Sequence, residues 1–161
     1  MKRVIVIGCP GSGKSRLSRA LSERCGLPVY HLDLLYWNPD KTTVSSEVFR
    51  ERLSAVLSLD EWIIDGNYSS TMEMRIAASD AVVFLDYPTE VCLEGARARI
   101  GKERPDMPWV ELEEDAEFTE FIEKFRENER PRILALLEKY GGKRIFVLAS
   151  RDEADAFVSL F

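Results

Sequence analysis

Short runs of consecutive apolar residues alternate along the chain with longer stretches in which apolar residues recur every three or four positions. Such runs are typical of buried strands, and the longer stretches are typical of amphipathic helices. The pattern predicts strands at 3–7, 29–32, 61–65, 81–86 and 144–148. It predicts helices at 14–25, 46–58, 72–78, 89–100, 111–128, 133–140 and 152–160, and a loop at 34–39. Strands that alternate with helices predict an α/β fold with a parallel sheet and helices on both faces.

The first predicted strand runs directly into a glycine-rich sequence, Gly8-Cys9-Pro10-Gly11-Ser12-Gly13-Lys14-Ser15, which a predicted helix follows. In this context the pattern G-x-x-x-x-G-K-S is the P-loop motif. Glycines let the backbone N–H groups point into one concavity that fits a phosphate, and the helix N-terminus adds partial positive charge. We expect Lys14 to reach the β- and γ-phosphates and the Ser15 hydroxyl to hold Mg²⁺. The predicted nucleotide-binding residues are Gly8, Pro10, Gly11, Ser12, Gly13, Lys14, Ser15 and Arg16.

The bulk composition narrows the class of protein. A chain of 161 residues suits a single domain with a full hydrophobic core. A formal net charge of −6 argues against a broad nucleic-acid-binding surface. The three cysteines are odd in number and lack metal-site spacing, so we expect reduced thiols and a cytoplasmic protein. No apolar run approaches the length of a membrane span, and the N-terminus shows no signal-peptide pattern.

Aspartates stand at the carboxyl ends of three of the predicted strands. The carboxyl ends of parallel strands meet at one edge of a sheet, so these side chains should lie together. Asp65 could orient Mg²⁺ through water, or it could cap a turn. Asp33 could align an acceptor hydroxyl and take its proton, or it could be a helix N-cap. Asp86 could also hold the metal, but the following Tyr87-Pro88 is more typical of the start of a helix, and we favour Asp65.

Basic residues cluster around the proline-broken segment 101–110, which we expect to be a short lid. Closure of such a lid could bring Arg99 and Arg104 to a transferring phosphoryl group, whose charge guanidinium groups stabilise well. The alternative is that these arginines belong to a solvated face and pair with neighbouring glutamates. Farther along, Arg151 could stack on adenine. The alternative is that Ser150 is a helix N-cap, which explains the sequence after the last strand without a ligand.

With these motifs the chain resembles the adenylate-kinase-like P-loop kinases. The resemblance rests on GCPGSGKS at 8–15, on WIIDGNY at 62–68, and on DAVVFLDYPTE at 80–90 followed by Arg97 and Arg99. More closely, the chain resembles the bacterial DNA topology modulation (FlaR-type) proteins, a kinase-like group. That likeness rests on HLD at 31–33 with Trp37, DGNY at 65–68 and RPDM at 104–107. The resemblance implies the P-loop fold with the sheet order 2-3-1-4-5, and ATP as the nucleotide.

The chain departs from the adenylate kinases at one position that concerns the acceptor. Those kinases have an arginine that grips the phosphate of the acceptor nucleotide, and this chain has Ser69 at the matching position. Arg75, in the next predicted helix, could take its place. The departure puts AMP in doubt as the acceptor.

These observations predict a kinase that uses ATP and Mg²⁺ to phosphorylate a nucleotide or another small metabolite. The catalytic residues would be Lys14, Asp33, Arg99 and Arg104, and the metal residues Ser15 and Asp65. The alternative is a nucleotide-binding switch or slow NTPase whose conformation a protein partner reads. The acidic composition and the lack of a DNA-reading motif argue against direct DNA binding. The oligomeric state is left open.

Overall fold

The computed structural model describes residues 1–161, which form five strands and nine helices. The strands are β1 (Arg3–Gly8), β2 (Val29–His31), β3 (Trp62–Asp65), β4 (Ala81–Leu85) and β5 (Arg144–Leu148). The helices are α1 (Lys14–Cys25), α2 (Leu32–Tyr36), α3 (Ser46–Leu57), α4 (Ser69–Ala78), α5 (Thr89–Ala98), α6 (Ala116–Glu123), α7 (Phe125–Asn128), α8 (Arg130–Lys139) and α9 (Arg151–Ser159). None of the helices combines the length and the apolar character that crossing a membrane requires.

The strands form one parallel sheet in the order β2-β3-β1-β4-β5, with helices on both sides. Val6 at the centre of β1 pairs with Asp65 of β3 on one side and with Val83 of β4 on the other. β3 and β4 are buried along their whole length, which explains why they read as continuous apolar runs. The predicted fold class and strand order are confirmed.

The segment after β2 differs from its prediction. The expected loop at 34–39 is wrong up to Tyr36, because a short helix, α2, begins directly at Leu32. Leu32 is fully buried, and Leu35 and Tyr36 pack against the core at helical spacing from it. Asp33 therefore lies in the first turn of a helix and not in a loop beyond a strand.

The acidic segment before α6 also differs. The apolar spacing predicts a helix over 111–128, but residues 99–115 contain no helix or strand and α6 begins only at Ala116. The side chain of Asp115 accepts the N–H groups of Glu117 and Phe118, so it is the N-cap at which the helix starts. Upstream of this cap, the Gly101 N–H donates to the Glu111 carbonyl at 2.5 Å, which folds the segment back on itself.

Candidate active site

The P-loop joins β1 to α1, and its glycines adopt backbone conformations that other residues avoid. Gly11 has φ +85° and Gly13 has φ +93°. A Cβ on Gly11 would lie 2.0 Å from the carbonyl oxygen of Cys92 in α5, so the loop packs directly on the backbone of that helix. No side chain caps the start of α1. The loop therefore presents an uncapped helix N-terminus, the arrangement that binds phosphate in many proteins.

The two polar side chains at the start of α1 face the same space. The Nζ of Lys14 donates to the carbonyl oxygen of Cys9 at 3.2 Å. Burial lowers the pKa of Lys14, and the nearby charge of Arg99 lowers it further. The Ser15 hydroxyl is buried without a hydrogen-bond partner. An unpartnered hydroxyl beside a phosphate-binding loop fits a Mg²⁺ ligand, although no cluster of three or more His, Cys, Asp or Glu side chains accompanies it.

Two side chains from elsewhere in the chain brace the P-loop. Asn67 exchanges hydrogen bonds with the backbone of Gly8, accepting from its N–H at 3.1 Å and donating to its carbonyl at 2.5 Å. Arg151 donates to the carbonyl oxygens of Gly11 and Ser12 at 3.4 Å and lies over the ring of Tyr87. Arg151 therefore contacts the carbonyl oxygens of the loop.

A cavity of about 870 Å³ opens at the carboxyl edge of the sheet, bounded by the P-loop on one side and by residues 99–115 on the other. The predicted site residues that line it are Pro10, Gly11, Gly13, Lys14, Ser15, Asp33, Asp65, Arg99 and Arg104. Gly8, Ser12, Arg16 and Arg151 are not on its wall. Gly8 and Ser12 belong to the loop but are buried away from the cavity, and Arg16 is exposed.

Asp33 is held by a tyrosine, Tyr68, to which no sequence pattern assigns a role. The hydroxyl of Tyr68 donates to Asp33 Oδ1 at 2.5 Å. Burial raises the pKa of Asp33, while the hydrogen bond from Tyr68 and the charge of Lys14 act to lower it. The Asp33 side chain caps no helix, so the N-cap alternative is not what the structure shows. Tyr68 was visible in the sequence only as part of the DGNY motif.

Asp65 pairs with the only histidine in the chain. His31 Nδ1 and Asp65 Oδ2 are 2.6 Å apart, and both side chains are buried. Burial acts to lower the pKa of His31, but the hydrogen bond and charge of Asp65 outweigh it, so the pKa is raised. The alternative carboxylate, Asp86, forms a bidentate ion pair with Arg130 and also accepts from Arg126, so it is already satisfied within the chain.

The predicted lid arginines have different surroundings. Arg99 is largely buried with an unpartnered Nε, and burial lowers its pKa. Arg104 pairs with Glu111 at 3.2 Å and lies 3.8 Å from Asp106. The solvated alternative applies to Arg97, whose ion pair with Glu114 is exposed.

Arg75 is not placed to grip an acceptor phosphate, as the sequence had suggested it could. Its side chain is fully buried and donates to the carbonyl oxygens of Gly66, at 2.9 Å, and of Asn67 and Tyr68. Burial lowers the pKa of Arg75 to about 9. Arg75 therefore holds the backbone of the loop that carries Asn67, which contacts the P-loop, and Tyr68, which contacts Asp33.

The chain shares its fold with solved small-molecule kinases. A shikimate kinase from Bacteroides thetaiotaomicron matches with a TM-score of 0.61 at 21% identity, over 99% of this chain and 95% of that one. A gluconokinase from Sinorhizobium meliloti 1021 matches with a TM-score of 0.59 at 18% identity, over 99% and 92%. A shikimate kinase from Acinetobacter baumannii, solved in complex with shikimate, gives 0.60 at 16% identity, over 99% and 90%. No protein-family model and no curated protein sequence matches the chain.

Proposed function

We propose that the protein is a kinase that transfers the γ-phosphoryl group of ATP to a hydroxyl of a small molecule, with Mg²⁺ as cofactor. The observation that carries this proposal is that Lys14 and Ser15 of the P-loop line the same cavity as Asp33 and Asp65. A phosphate-binding loop and a carboxylate suited to an acceptor hydroxyl thus face one space. The fold shared with shikimate kinases and a gluconokinase supports the same class of reaction.

The P-loop and Asp65 line one part of the cavity, the nucleotide half, which binds and orients the triphosphate. The loop amides and the Lys14 ammonium bind the β- and γ-phosphates. The Ser15 hydroxyl and Asp65, which His31 holds, are the residues that would hold Mg²⁺. When bound there, Mg²⁺ would offset the negative charge of the triphosphate.

Asp33, Tyr68, Arg104 and Asp106 line the other part of the cavity, the acceptor half, where Asp33 acts on the acceptor. It accepts a hydrogen bond from the acceptor hydroxyl and takes its proton as the oxygen attacks the γ-phosphorus, while the bond to the β,γ-bridging oxygen breaks and ADP leaves. The raised pKa of Asp33, which burial causes, makes it a stronger base than an ordinary aspartate. Arg99 stabilises the charge on the transferring group. We assign Arg104 to the acceptor, because two carboxylates already offset its charge.

Residues 101–110 are proposed to be a short lid that excludes water during transfer, within a single kinase domain. Gly101 has φ +76°, a conformation that suits a hinge at the end of α5. Arg104 and Asp106 on this segment line the cavity, so its movement would uncover the acceptor half. The closer likeness to the DNA topology modulation proteins stays a prediction that rests on the DGNY and RPDM motifs.

The test is ADP formation from ATP and Mg²⁺ across a panel of sugars, cyclitols, nucleosides and nucleoside monophosphates. Lys14→Ala, which removes the phosphate-binding ammonium, is the blank. ADP formation that requires an acceptor and is lost in Lys14→Ala supports the kinase. ADP formation at one rate whatever the acceptor contradicts it and favours a slow NTPase or nucleotide switch.

A further inference from the structure

The acceptor half of the cavity contains a carboxylate that the chain itself leaves unsatisfied. Asp106 is only 8% exposed, lines the cavity and accepts no hydrogen bond from any donor of the chain. The nearest cationic nitrogen, Arg104 Nη1, is 3.8 Å away, and it is itself buried without a hydrogen-bond partner. A buried donor left without a partner is costly unless a ligand satisfies it, and this donor lies beside a carboxylate that faces the cavity.

The chemistry of this pair selects a particular ligand group. A hydroxyl can accept from Arg104 Nη1 and donate to Asp106 at the same time, whereas an ammonium can only donate and a carboxylate can only accept. Trp109 Nε1, on the same segment, is a second buried donor without a partner. Together with Asp33, these groups describe a pocket for a molecule with several hydroxyls.

The charges around this pocket disfavour an acceptor with an anionic group. Arg104 is offset by Glu111 at 3.2 Å as well as by Asp106. Arg75 is committed to backbone carbonyls. Lys41 is exposed and lies over the Trp109 ring, 5.2 Å from its centroid. Arg99 also lines the cavity, and the proposed function assigns its charge to the transferring phosphoryl group. With Arg99 engaged in this way, a second anion would lie beside Asp106 and Glu111 and would meet only Arg104, whose charge these carboxylates already offset.

The pocket also offers an aromatic wall. Trp37 and Trp109 line the cavity and pack edge to face, with ring centroids 5.5 Å apart. Aromatic faces pack well against the C–H face of a sugar or against a planar base.

We propose that the acceptor is a neutral, polyhydroxylated small molecule, such as a sugar, cyclitol or nucleoside, with one hydroxyl bound between Asp106 and Arg104. This inference rests on the proposed kinase function. It makes Asp106 a specificity-determining residue, because Asp106 both binds the neutral hydroxyl and offsets the charge of Arg104.

The experiment compares matched neutral and anionic acceptors: glucose with gluconate, adenosine with AMP, and uridine with UMP. Phosphoryl transfer is followed by mass spectrometry of the products, and binding of each acceptor to the protein with ADP and Mg²⁺ is followed by calorimetry. We expect kcat/KM to favour a neutral member by at least tenfold. Asp106→Ala should raise the KM of that acceptor by about tenfold to a hundredfold with little change in kcat, since a charged hydrogen bond is lost.

Two further variants show whether an effect of Asp106→Ala comes from lost acceptor binding, from a folding defect or from the removal of any nearby negative charge. Asp106→Asn keeps the shape of the side chain and should still narrow the preference for neutral over anionic acceptors, because Arg104 loses one offsetting charge. Glu94→Gln removes an exposed carboxylate of α5 that does not line the cavity and is the matched control, with no change expected.

The outcomes distinguish this inference from the proposed function. Turnover confined to an anionic acceptor would leave the kinase standing and overturn the neutral-acceptor proposal. Binding of a neutral acceptor that depends on Asp106, without transfer, would support the pocket while contradicting the kinase. An unchanged KM and preference in both Asp106 variants, or no binding of any neutral member, would overturn the inference.

Discussion

The two halves of the cavity are built in different ways. The nucleotide half is built mainly on one contiguous stretch of the chain, from Gly8 to Ser15, to which β3 adds Asp65. The stretch holds its shape through glycine backbone conformations and packing on α5. The acceptor half is assembled from α2, the loop before α4 and residues 99–115, and side-chain contacts such as Tyr68 to Asp33 hold it. A backbone site recognises phosphates, a common feature of all nucleoside triphosphates. A side-chain site can change its ligand with few substitutions.

The largest expected effect comes from the one side chain on which the nucleotide half depends. Lys14→Ala should lower kcat by about a thousandfold, because it removes a preorganised charge from the transferring phosphate. Steady-state ADP formation with a saturating acceptor measures this. Arg24→Ala, at the exposed end of the same helix, is the control and should match the unchanged protein. Retained activity in Lys14→Ala would separate the P-loop from catalysis.

The second-largest expected effect tests whether the acceptor half and the nucleotide half act independently. Asp33→Asn should lower kcat by about a hundredfold or more, because the amide cannot take the acceptor's proton. The Kd for ATP should stay unchanged, since Asp33 belongs to the acceptor half. Calorimetric titration with a nonhydrolysable ATP analogue supplies the Kd. A marked loss of ATP affinity would show that the halves are not separate.

Substitutions of two glycines test whether the nucleotide half depends on glycine backbone conformations and on close packing against α5. Gly11→Ala should cost about 3 kcal/mol of unfolding free energy, because a Cβ there meets the backbone of α5 in a left-handed conformation. Gly26→Ala is the matched control, since Gly26 has φ +74° with no atom near its Cβ position. Its cost should be about 1 kcal/mol. Urea unfolding measures both, and equal costs would contradict the close packing on α5.

The smallest effect concerns the pH dependence of the acceptor half. Burial raises the pKa of Asp33, so kcat/KM should fall, as the pH is lowered, at a higher pH than for an ordinary aspartate. The Tyr68 hydroxyl stabilises the ionised carboxylate. Tyr68→Phe should therefore move this acid limb to still higher pH. Tyr36→Phe, which changes a neighbouring ring, should leave the limb in place.

The same contrast explains what could be predicted from the sequence. The P-loop, the buried strands and their order follow from local patterns and a family resemblance, and the structure confirms the fold. The helical position of Asp33, the burial of Arg75 and the unpartnered Asp106 depend on contacts between residues far apart in the chain. The acidic residues before α6 look helical in isolation, but the Asp115 cap and the Gly101–Glu111 hydrogen bond exclude them from the helix.

The most direct test of the central claim follows the γ-phosphoryl group itself. The protein is incubated with Mg²⁺, ATP labelled with ¹⁸O in the γ-phosphoryl group, and a protein-free mixture of neutral and anionic metabolites, and the labelled products are identified by mass spectrometry. We predict that the label appears in an organic phosphate ester, and that Lys14→Ala abolishes this product. Label found only in inorganic phosphate, at a rate that the metabolites do not change, would contradict the account.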